Sequence, residues 1–492
     1  MIQKVFGPPG TGKTTKLLNL VDDYIAKGVP LDRIGYFAFT RKAANEARDR
    51  FLEKHPGKYK QKEVRFFQTL HSLAFHTLGM SEDNVMDSVH YELVCEEMGI
   101  HAQSLDEGYA LKSDNEYFRL LNKARVKKIS VEDEYNTGEW SSDIDLTTLL
   151  YIEKNFNQFK EFNHLDDYTD MLEKLVKVPN KFPQFDVVFI DEAQDLAPIQ
   201  WDIFDILKEK SKDIYLAGDD DQAIFMWAGA DVERFVTQEA DRSIVLDQSR
   251  RVPSEVLELS KIITERIEGV RQPKEYKPRE VEGSVNYIYS LDGLDLSEGS
   301  WLILGRTNYV LDKTCKYLKS MNQYFSYNKH PYYGKSYKTK LFKCARLWTE
   351  LTKGEEISLS DFKDIQEYLD KDYEIDTQVV RFTQLKHPKI KWYEAFVNAP
   401  EAECEYIRIL LENGESLKEE PRIKVSTIHA AKGGEADNVI LILNQNDKIR
   451  EAVRNSLDKQ DEEHRVWYVG VTRTKENLFL LKANPERKGY PL

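Results

Sequence analysis

The sequence predicts an α/β fold built on open sheets of parallel strands. Three short apolar stretches, IQKVF, VVFI and IYLA, run into the polar segments GPPGTGKTT, DEAQD and GDDDQ, and helical patterns lie between them. The uninterrupted run VVFI is typical of a central strand in a parallel sheet that helices cover on both faces. Ligands of such sheets bind beyond the carboxyl ends of the strands, where the three polar segments are expected.

The composition indicates a soluble globular protein with about two to four domains, since 492 residues exceed what one core can organise. Hydrophobic residues make up 41% of the chain and charged residues 31%. No apolar run approaches the ~20 residues that span a bilayer, and the first residues lead into a strand rather than a signal peptide. The four cysteines are far apart and form no CxxC pair, which argues against zinc and disulfides. We expect a cytoplasmic protein without a membrane partner.

The first polar segment has the pattern of a phosphate-binding loop. Residues 7–14, GPPGTGKT, match GxxxxGK[ST] between a strand and an amphipathic helix. In this pattern backbone amides face phosphate oxygens, Lys13 reaches the β- and γ-phosphates of ATP, and the hydroxyl of Thr14 binds Mg²⁺. A chance match in a glycine-rich turn is the alternative, which the flanking strand and helix disfavour. The loop residues expected to bind ATP are Gly7, Pro8, Pro9, Gly10, Thr11, Gly12, Lys13, Thr14 and Thr15.

An acidic pair follows the second apolar stretch, in DVVFIDEAQD (186–195). Asp191 is expected to hold the water shell of Mg²⁺, and Glu192 to polarise the attacking water. The pair could instead begin a helix, where carboxylates suit the dipole. Together with the phosphate loop, the pair predicts an ATPase that uses ATP and Mg²⁺.

Further segments occur in the order of a known family. They are YFAFTRKAANEARDRF (36–51), QTLHSLAFHTL (68–78), GDDDQAIFMWAGA (218–230), LDQSRRVPSEV (246–256), VSTIHAAKGGEADNVIL (425–441) and RVWYVGVTRTKENLFL (465–480). With the phosphate loop and DEAQD, they make the chain resemble a superfamily 1 DNA helicase of the UvrD/Rep type. The resemblance extends from residue 5 almost to the C-terminus.

The resemblance implies two RecA-like P-loop NTPase lobes with parallel sheets, each carrying an inserted, mainly helical accessory domain. The region between Arg306 and Val425, where the family inserts its second accessory domain, is short here. The implied boundaries are 1–80 and 170–250 for the first lobe, 81–169 for its accessory domain, 251–325 and 420–492 for the second lobe, and 326–419 for the reduced second accessory domain.

Several catalytic and nucleotide-binding roles also follow from the resemblance. Arg251 and Arg473 match arginines that approach the γ-phosphate, where charge develops in the transition state. Gln222 matches the residue that senses the γ-phosphate, and Glu435 matches a glutamate that contacts the ribose. Arg250 stands where the family has an aromatic that stacks on adenine, and a guanidinium can stack on a purine. Only six residues precede the phosphate loop, so the family's upstream adenine-reading glutamine has no counterpart and selectivity for ATP stays open.

Aromatic residues near Gln222 are expected to contact DNA bases. The resemblance gives this role to Trp227, and Phe39 is a second candidate, because stacking is worth ~1–3 kcal/mol per base and tolerates any sequence. Core packing is the alternative for both rings. The three aspartates at 219–221 are expected to be turn and network residues rather than a separate metal site. The residues expected to bind DNA are Phe39, Thr69, His71, Phe225, Trp227, Thr427 and His429.

Two features bear on the nucleic-acid partner. The net charge of −14 is weak evidence against DNA binding, because a basic groove can lie on an acidic body. The stretch YNKHPYYGKSYKTK (327–340) mixes basic and aromatic residues, which suits a nucleic-acid surface or a solvated loop.

The leading interpretation is an ATP-driven helicase that moves 3′→5′ on single-stranded DNA, with polarity taken from the resemblance alone. Its expected partners are single-stranded DNA, single-strand/duplex junctions and replication or repair proteins. One alternative is a single-strand translocase or protein-displacing ATPase that unwinds weakly on its own. Another is a nucleotide-gated DNA-binding subunit with little turnover, which the complete set of catalytic residues disfavours.

Overall fold

The computed structural model describes residues 1–492 except 101–103, 107–110, 114, 139, 141–142, 328–336, 417–418 and 483–488. Most of the stretch 327–340, with its mixture of lysines and aromatics, therefore lies outside the described residues. Packing divides the chain into two compact units. The first unit comprises Met1–Ser284 and Asn446–Arg473, and the second unit comprises Val285–Gln445 and Thr474–Leu492.

Each unit is built on one six-stranded sheet, which confirms the predicted α/β fold. The strands among the described residues are β1 (Ile2–Phe6), β2 (Ile34–Ala38), β3 (Phe67–Gln68), β4 (Ser104–Asp106), β5 (Leu111–Ser113), β6 (Phe185–Asp191), β7 (Ser211–Gly218), β8 (Arg242–Val245), β9 (Ser284–Ile288), β10 (Trp301–Gly305), β11 (Phe325–Tyr327), β12 (Ile357–Ser358), β13 (Val379–Val380), β14 (Ile423–Thr427), β15 (Ala436–Ile442) and β16 (Thr474–Leu481).

The first sheet has the order β3-β2-β6-β7-β1-β8, and all of its neighbouring strands are parallel. The second sheet has the order β11-β14-β10-β15-β16-β9, with parallel pairing from β11 to β16. Two antiparallel pairs, β4 with β5 and β12 with β13, lie outside these sheets.

Helices connect the strands and form the rest of both units. The α-helices among the described residues are α1 (Lys13–Ala26), α2 (Arg41–Lys54), α3 (Leu70–Leu78), α4 (Ser88–Glu97), α5 (Glu116–Lys127), α6 (Val131–Tyr135), α7 (Leu146–Asn163), α8 (Tyr168–Val176), α9 (Pro198–Glu209), α10 (Val232–Thr237), α11 (Ser254–Thr264), α12 (Asn308–Ser320), α13 (Tyr337–Thr352), α14 (Leu359–Gln366), α15 (Phe382–Leu385), α16 (Trp392–Ala395), α17 (Glu401–Glu412), α18 (Asp447–Asn455) and α19 (Leu457–Val471). No helix in this described part of the chain is long and apolar enough to cross a membrane.

Strand β6 shows why the central strands are apolar without interruption. Val187 and Phe189 pack into the core on one face of the first sheet, whereas Val188 and Ile190 pack into the core on the other. Because both faces are covered, neither set of alternating side chains meets water. The polar residues of the strand therefore lie near its two ends, with Asp186 close to the start and Asp191 at the carboxyl end.

Helical segments inserted into each unit have cores of their own. In the first unit, residues from Met86 to Leu165 form a cluster centred on α4, α5 and α7. In the second unit, residues from Leu341 to Ile407 form another, around Trp348. The accessory-domain boundaries at 81–169 and 326–419 stay predictions, and these two clusters fall within them.

The division by packing differs from the lobe boundaries implied by the resemblance. Residues 251–284 and 446–473, which those boundaries give to the second lobe, pack in the first unit. The reason lies in α19: Asp461 accepts the backbone amides of Glu268 and Gly269 at 3.0 and 2.7 Å, and Arg465 donates to the carbonyl oxygen of Asp220 at 3.0 Å. The lobe boundaries themselves stay a prediction.

Candidate nucleotide and nucleic-acid site

The loop between β1 and α1 has the geometry of a phosphate-binding turn. The amide of Gly7 donates to the carbonyl oxygen of Gly218 at 2.9 Å, which ties the loop to the end of β7. Gly10 and Gly12 have φ angles of +73° and +82°, which favour glycine. Gly12 is the N-cap of α1, and no side chain caps this end of the helix. The positive end of α1 is thus presented to a ligand rather than to a protein side chain.

Lys13 and Thr14 face the acidic pair at the end of β6. The Lys13 ammonium lies 3.4 Å from a carboxylate oxygen of Glu192 and donates to the carbonyl oxygen of Gly7 at 3.0 Å. The Thr14 hydroxyl donates to Oδ2 of Asp191 at 3.0 Å. A hydroxyl and a carboxylate are hard oxygen ligands of the kind that Mg²⁺ prefers, so these residues fit the predicted metal.

Burial and neighbouring charges shift the ionisation of this site. Burial, followed by the neighbouring Glu192 carboxylate, raises the pKa of Asp191. Burial alone would lower the pKa of Lys13, but the carboxylates around it, Glu192 first, outweigh burial and raise that pKa. Lys13 is therefore held as an ammonium where phosphate charge is expected. Glu192 has a φ of +58°, a conformation that costs energy in any residue with a side chain.

Two residues of this site were missed by the sequence analysis. Tyr36 on β2 donates its hydroxyl to Oδ2 of Asp191 at 2.8 Å, so it shares that oxygen with Thr14. Gln194 donates to Glu192 at 2.6 Å and accepts the amide of Asp219 at 3.0 Å, which links the ends of β6 and β7. Tyr36 lies in the segment YFAFT and Gln194 in DEAQD. The presence of both residues in motif segments is the signal by which the sequence could have identified them.

The three aspartates after β7 are buried, with exposed fractions of 0%, 0% and 1% for Asp219, Asp220 and Asp221. Cations from residues 271–274 compensate them: the ammonium of Lys274 lies within 3.1 Å of all three carboxylates, and Arg271 contacts Asp221 at 2.6 Å. Among the described residues, no group of three or more His, Cys, Asp and Glu side chains could hold a metal ion. The ion pairs with Lys274 and Arg271 place the aspartates in a network of buried charges around the turn.

Gln222 and Arg473 form a hydrogen-bonded pair although 251 positions separate them. The amide nitrogen of Gln222 donates to Oδ2 of Asp219 at 2.7 Å, and its amide oxygen accepts from Arg473 at 3.0 Å. Arg473 is 1% exposed and also donates to the carbonyl oxygen of Val469 at 2.8 Å. The structure thus brings two of the predicted catalytic residues into direct contact.

Arg250 and Arg251 lie against the phosphate loop. The amide of Arg250 donates to the carbonyl oxygen of Gly10 at 2.9 Å, and the hydroxyl of Ser249 donates to the carbonyl oxygen of Pro9 at 2.7 Å. A Cβ atom added to Gly10 would lie 2.4 Å from Cβ of Arg251. This close approach, together with the positive φ, explains why the loop has glycine at this position. The stacking and phosphate roles of the two arginines stay predictions.

The predicted DNA-stacking aromatics form a chain of rings. Phe39 and Phe225 have ring centroids 5.4 Å apart, and the centroids of Phe225 and Trp227 lie 6.3 Å apart. Phe39, Phe225 and His71 line one cleft, whose other wall includes Tyr168 at the start of α8. Phe39 and Phe225 are 8% and 5% exposed, whereas Trp227 is half-buried. Trp227 thus offers the most accessible ring of the three.

The remaining residues with predicted DNA or ribose contacts lie outside this chain of rings. Thr69 is 2% exposed, and its hydroxyl caps α3 by accepting the amide of Ser72 at 3.2 Å. In the second unit, Thr427 ends β14, His429 is half-buried and Glu435 is exposed. The roles of Thr69, Thr427 and His429 towards DNA and of Glu435 towards the ribose stay predictions.

Comparison with known proteins agrees with this geometry. The family described as the UvrD/REP helicase N-terminal domain matches residues 3–243. A probable DNA helicase II homolog of Mycoplasma capricolum is 26% identical over 284 residues, which cover 52% of this chain and 38% of that protein. The ATP-dependent DNA helicases PcrA of Staphylococcus epidermidis and Staphylococcus aureus are 24% and 23% identical, each over 55% of this chain and 38% of the relative. The matches thus span 38% of the length of these relatives. Residues 3–243 are thus similar to the N-terminal domain of UvrD/REP helicases, and the chain resembles superfamily 1 helicases of the UvrD/Rep type.

Proposed function

We propose that the chain is an ATP-dependent DNA helicase that translocates on single-stranded DNA with 3′→5′ polarity. ATP hydrolysis drives movement along one strand, and duplex DNA is separated at single-strand/duplex junctions. Replication or repair proteins are its expected partners. The polarity comes from the family resemblance, and the remaining steps rest on residues of the first unit.

The observation that carries the proposal is a continuous set of contacts at the carboxyl edge of the first sheet. Lys13 contacts Glu192, Gln194 joins Glu192 to the amide of Asp219, and Asp219 holds Gln222 against Arg473. A phosphate loop, an acidic pair and an arginine held by a glutamine are parts that ATP hydrolysis in P-loop enzymes uses.

Each side chain has a definite task in this mechanism. The positive end of α1 and the Lys13 ammonium bind phosphate oxygens. Thr14 and Asp191 would hold Mg²⁺, which would supply positive charge to the phosphate oxygens. Glu192 orients the attacking water and accepts its proton, while Arg251 and Arg473 offset negative charge that develops on the γ-phosphate.

The segment from Gln222 to Trp227 couples hydrolysis to the strand. Gln222 lies at the nucleotide end of this segment, and Phe225 and Trp227 begin the aromatic chain at its other end. A change in the hydrogen bonds of Gln222 therefore acts on the backbone that carries Trp227. Stacking on bases makes the grip independent of sequence, as a translocating enzyme needs.

The test is steady-state ATP hydrolysis with Mg²⁺, with and without oligo(dT), with the Glu192→Gln variant as the blank. We expect strong stimulation by the oligonucleotide and unwinding of duplexes with a 3′ tail but not a 5′ tail. Stimulation without unwinding of either duplex would indicate a translocase instead. Stimulation by oligo(rU) alone would move the substrate to RNA, and no hydrolysis above the blank would overturn the proposal.

A further inference from the structure

The turn Asp219–Asp221 concentrates three carboxylates in the interior of the first unit. Charges at such a position are costly unless cations and hydrogen bonds compensate them. The compensating residues come from 271–274, a stretch outside every motif segment described above. This stretch therefore contacts the turn that leads into Gln222.

Lys274 is the central cation of this cluster. Its side chain is 1% exposed, and its ammonium lies 3.1 Å from Asp219, 2.5 Å from Asp220 and 2.9 Å from Asp221. Burial would lower the pKa of this lysine, but the three carboxylates, led by Asp219, outweigh burial and raise it. The surrounding carboxylates thus favour the charged form of the ammonium.

Besides Lys274, each of the three aspartates has different partners. Arg271 binds Asp221 through two nitrogens at 2.6 and 3.1 Å. Asp220 accepts the amide of Gln272 at 2.8 Å. Asp219 differs from both, since one oxygen faces Lys274 while the other accepts the Gln222 amide at 2.7 Å. Asp219 is therefore the connection between Lys274 and the predicted γ-phosphate sensor.

This connection sets the orientation of the Gln222 amide. A carboxylate can only accept hydrogen bonds, and a guanidinium can only donate them. With Asp219 on one side and Arg473 on the other, the amide nitrogen must face Asp219 and the amide oxygen must face Arg473. Loss of a fixed Asp219 would allow the amide to rotate and would weaken the hold on Arg473.

Residues 271–277 also connect the aspartate turn to the segment that touches the phosphate loop. The amide of Lys277 donates to the carbonyl oxygen of Asp247 at 2.6 Å, and the carbonyl oxygen of Lys277 accepts the amide of Ser249 at 2.9 Å. Ser249 in turn contacts Pro9 and precedes Arg250 and Arg251. These contacts are made by backbone atoms of Lys277, whose side chain is exposed, so it is the backbone of the stretch that connects the two segments.

We propose that Lys274 is a positioning residue for ATP hydrolysis: it fixes Asp219 and, through Asp219, aligns the Gln222 amide with Arg473. The inference rests on the proposed ATPase function and adds a residue to it. Lys274 acts on the rate of hydrolysis through Gln222, and its contribution disappears when Gln222 is absent.

A purely structural role makes a different prediction. If Lys274 only neutralised buried charge, a variant that removes one carboxylate together with the lysine would restore activity. Lys274→Met/Asp220→Asn is such a charge-balanced pair, and an asparagine oxygen at 220 can still accept the Gln272 amide. A positioning role of Lys274 predicts instead that this double variant folds but hydrolyses ATP slowly, because Asp219 still lacks the Lys274 ammonium.

The first experiment measures kcat and KM for ATP with saturating oligo(dT) in four proteins: wild type, Lys274→Met, the charge-balanced double variant and Lys277→Met. Lys277 is the matched control because it lies three residues away with an exposed side chain. We expect kcat to fall at least about tenfold in the two Lys274 variants with KM within twofold, and Lys277→Met to match wild type. Restoration of kcat to within twofold of wild type in the charge-balanced variant would overturn the proposal.

The second experiment is a double-variant cycle with Gln222→Ala. We expect Lys274→Met to lower kcat by less than twofold in the Gln222→Ala background, because neighbouring residues that act through one group are not additive. An equal fold-loss in both backgrounds would show that Lys274 acts independently of Gln222. Thermal unfolding of each variant identifies any protein whose low rate comes from misfolding. If Lys274→Met is such a protein, kcat of the charge-balanced variant tests the positioning role.

The outcomes separate the two proposals. Absence of hydrolysis in wild type above the Glu192→Gln blank contradicts the ATPase function itself. Active wild type with an unchanged kcat in Lys274→Met contradicts only the positioning role.

Discussion

Replacement of Arg473 by alanine tests whether this buried arginine is a catalytic group or a structural one. Its guanidinium donates to the amide oxygen of Gln222 at 3.0 Å, to the carbonyl oxygen of Val469 at 2.8 Å and to the hydroxyl of Thr472 at 3.2 Å. With the side chain 1% exposed, water does not readily replace these donors. Both the stability of the first unit and the rate of hydrolysis are therefore expected to respond.

The loss of stability and the loss of hydrolysis rate differ in size and can be measured separately. An acceptor left buried without a donor costs ~1–3 kcal/mol, so truncation that orphans the Gln222 oxygen and removes packing is expected to destabilise the first unit by ~2–4 kcal/mol. An arginine that offsets charge on a transferring phosphoryl group contributes ~10³–10⁵ in kcat. Since a factor of 10³ corresponds to ~4 kcal/mol of barrier, the catalytic loss is at least as large as the structural one.

The assay is kcat for ATP hydrolysis with saturating oligo(dT), together with urea unfolding, for Arg473→Ala, Arg473→Lys and Arg454→Ala. Arg454 is the matched control because it is an exposed arginine on α18 in the same unit. We expect both Arg473 variants to lose at least about 10³ in kcat, Arg473→Lys to be the more stable of the two, and Arg454→Ala to match wild type. A kcat of Arg473→Lys or Arg473→Ala within tenfold of wild type would refute the catalytic role and leave a structural one.

Three further predictions concern Lys13, Trp227 and Arg250. Lys13→Ala should lower ATP hydrolysis by at least ~10² while sparing oligo(dT) binding without ATP, because the ammonium lies in the phosphate loop and not among the residues expected to bind DNA; normal turnover would contradict the phosphate assignment. Trp227→Ala should weaken oligo(dT) binding about 5- to 150-fold, the equivalent of ~1–3 kcal/mol of base stacking, with KM for ATP little changed. Tyr289→Ala, which removes a ring that is 79% exposed, is its control, and equal binding by both variants would assign Trp227 to packing. Arg250→Tyr should raise the ratio of kcat/KM for ATP over GTP if residue 250 stacks on the base, and an unchanged ratio would count against stacking.

The sequence by itself determined the parts of this protein that depend on local pattern. The strand, glycine loop and helix at residues 2–26 are specified by apolar periodicity and by glycines at positive φ, both of which are properties of neighbouring residues. The same holds for β6, whose uninterrupted apolar run predicted a strand buried on both faces with Asp191 at its end. The order of the motif segments supplied the family, and with it most of the candidate site.

Only the tertiary structure decided which distant residues complete that site. Lys274 and Arg271 lie about 50 positions from the aspartates that they bind, and Arg473 lies 251 positions from Gln222. No periodicity or spacing in the sequence encodes such pairs. They form because buried charges need compensation, and the charges are buried only once the chain has folded. The packing of 251–284 and 446–473 into the first unit has the same origin: backbone amides at 268 and 269 find their acceptor, Asp461, almost two hundred residues further along the chain.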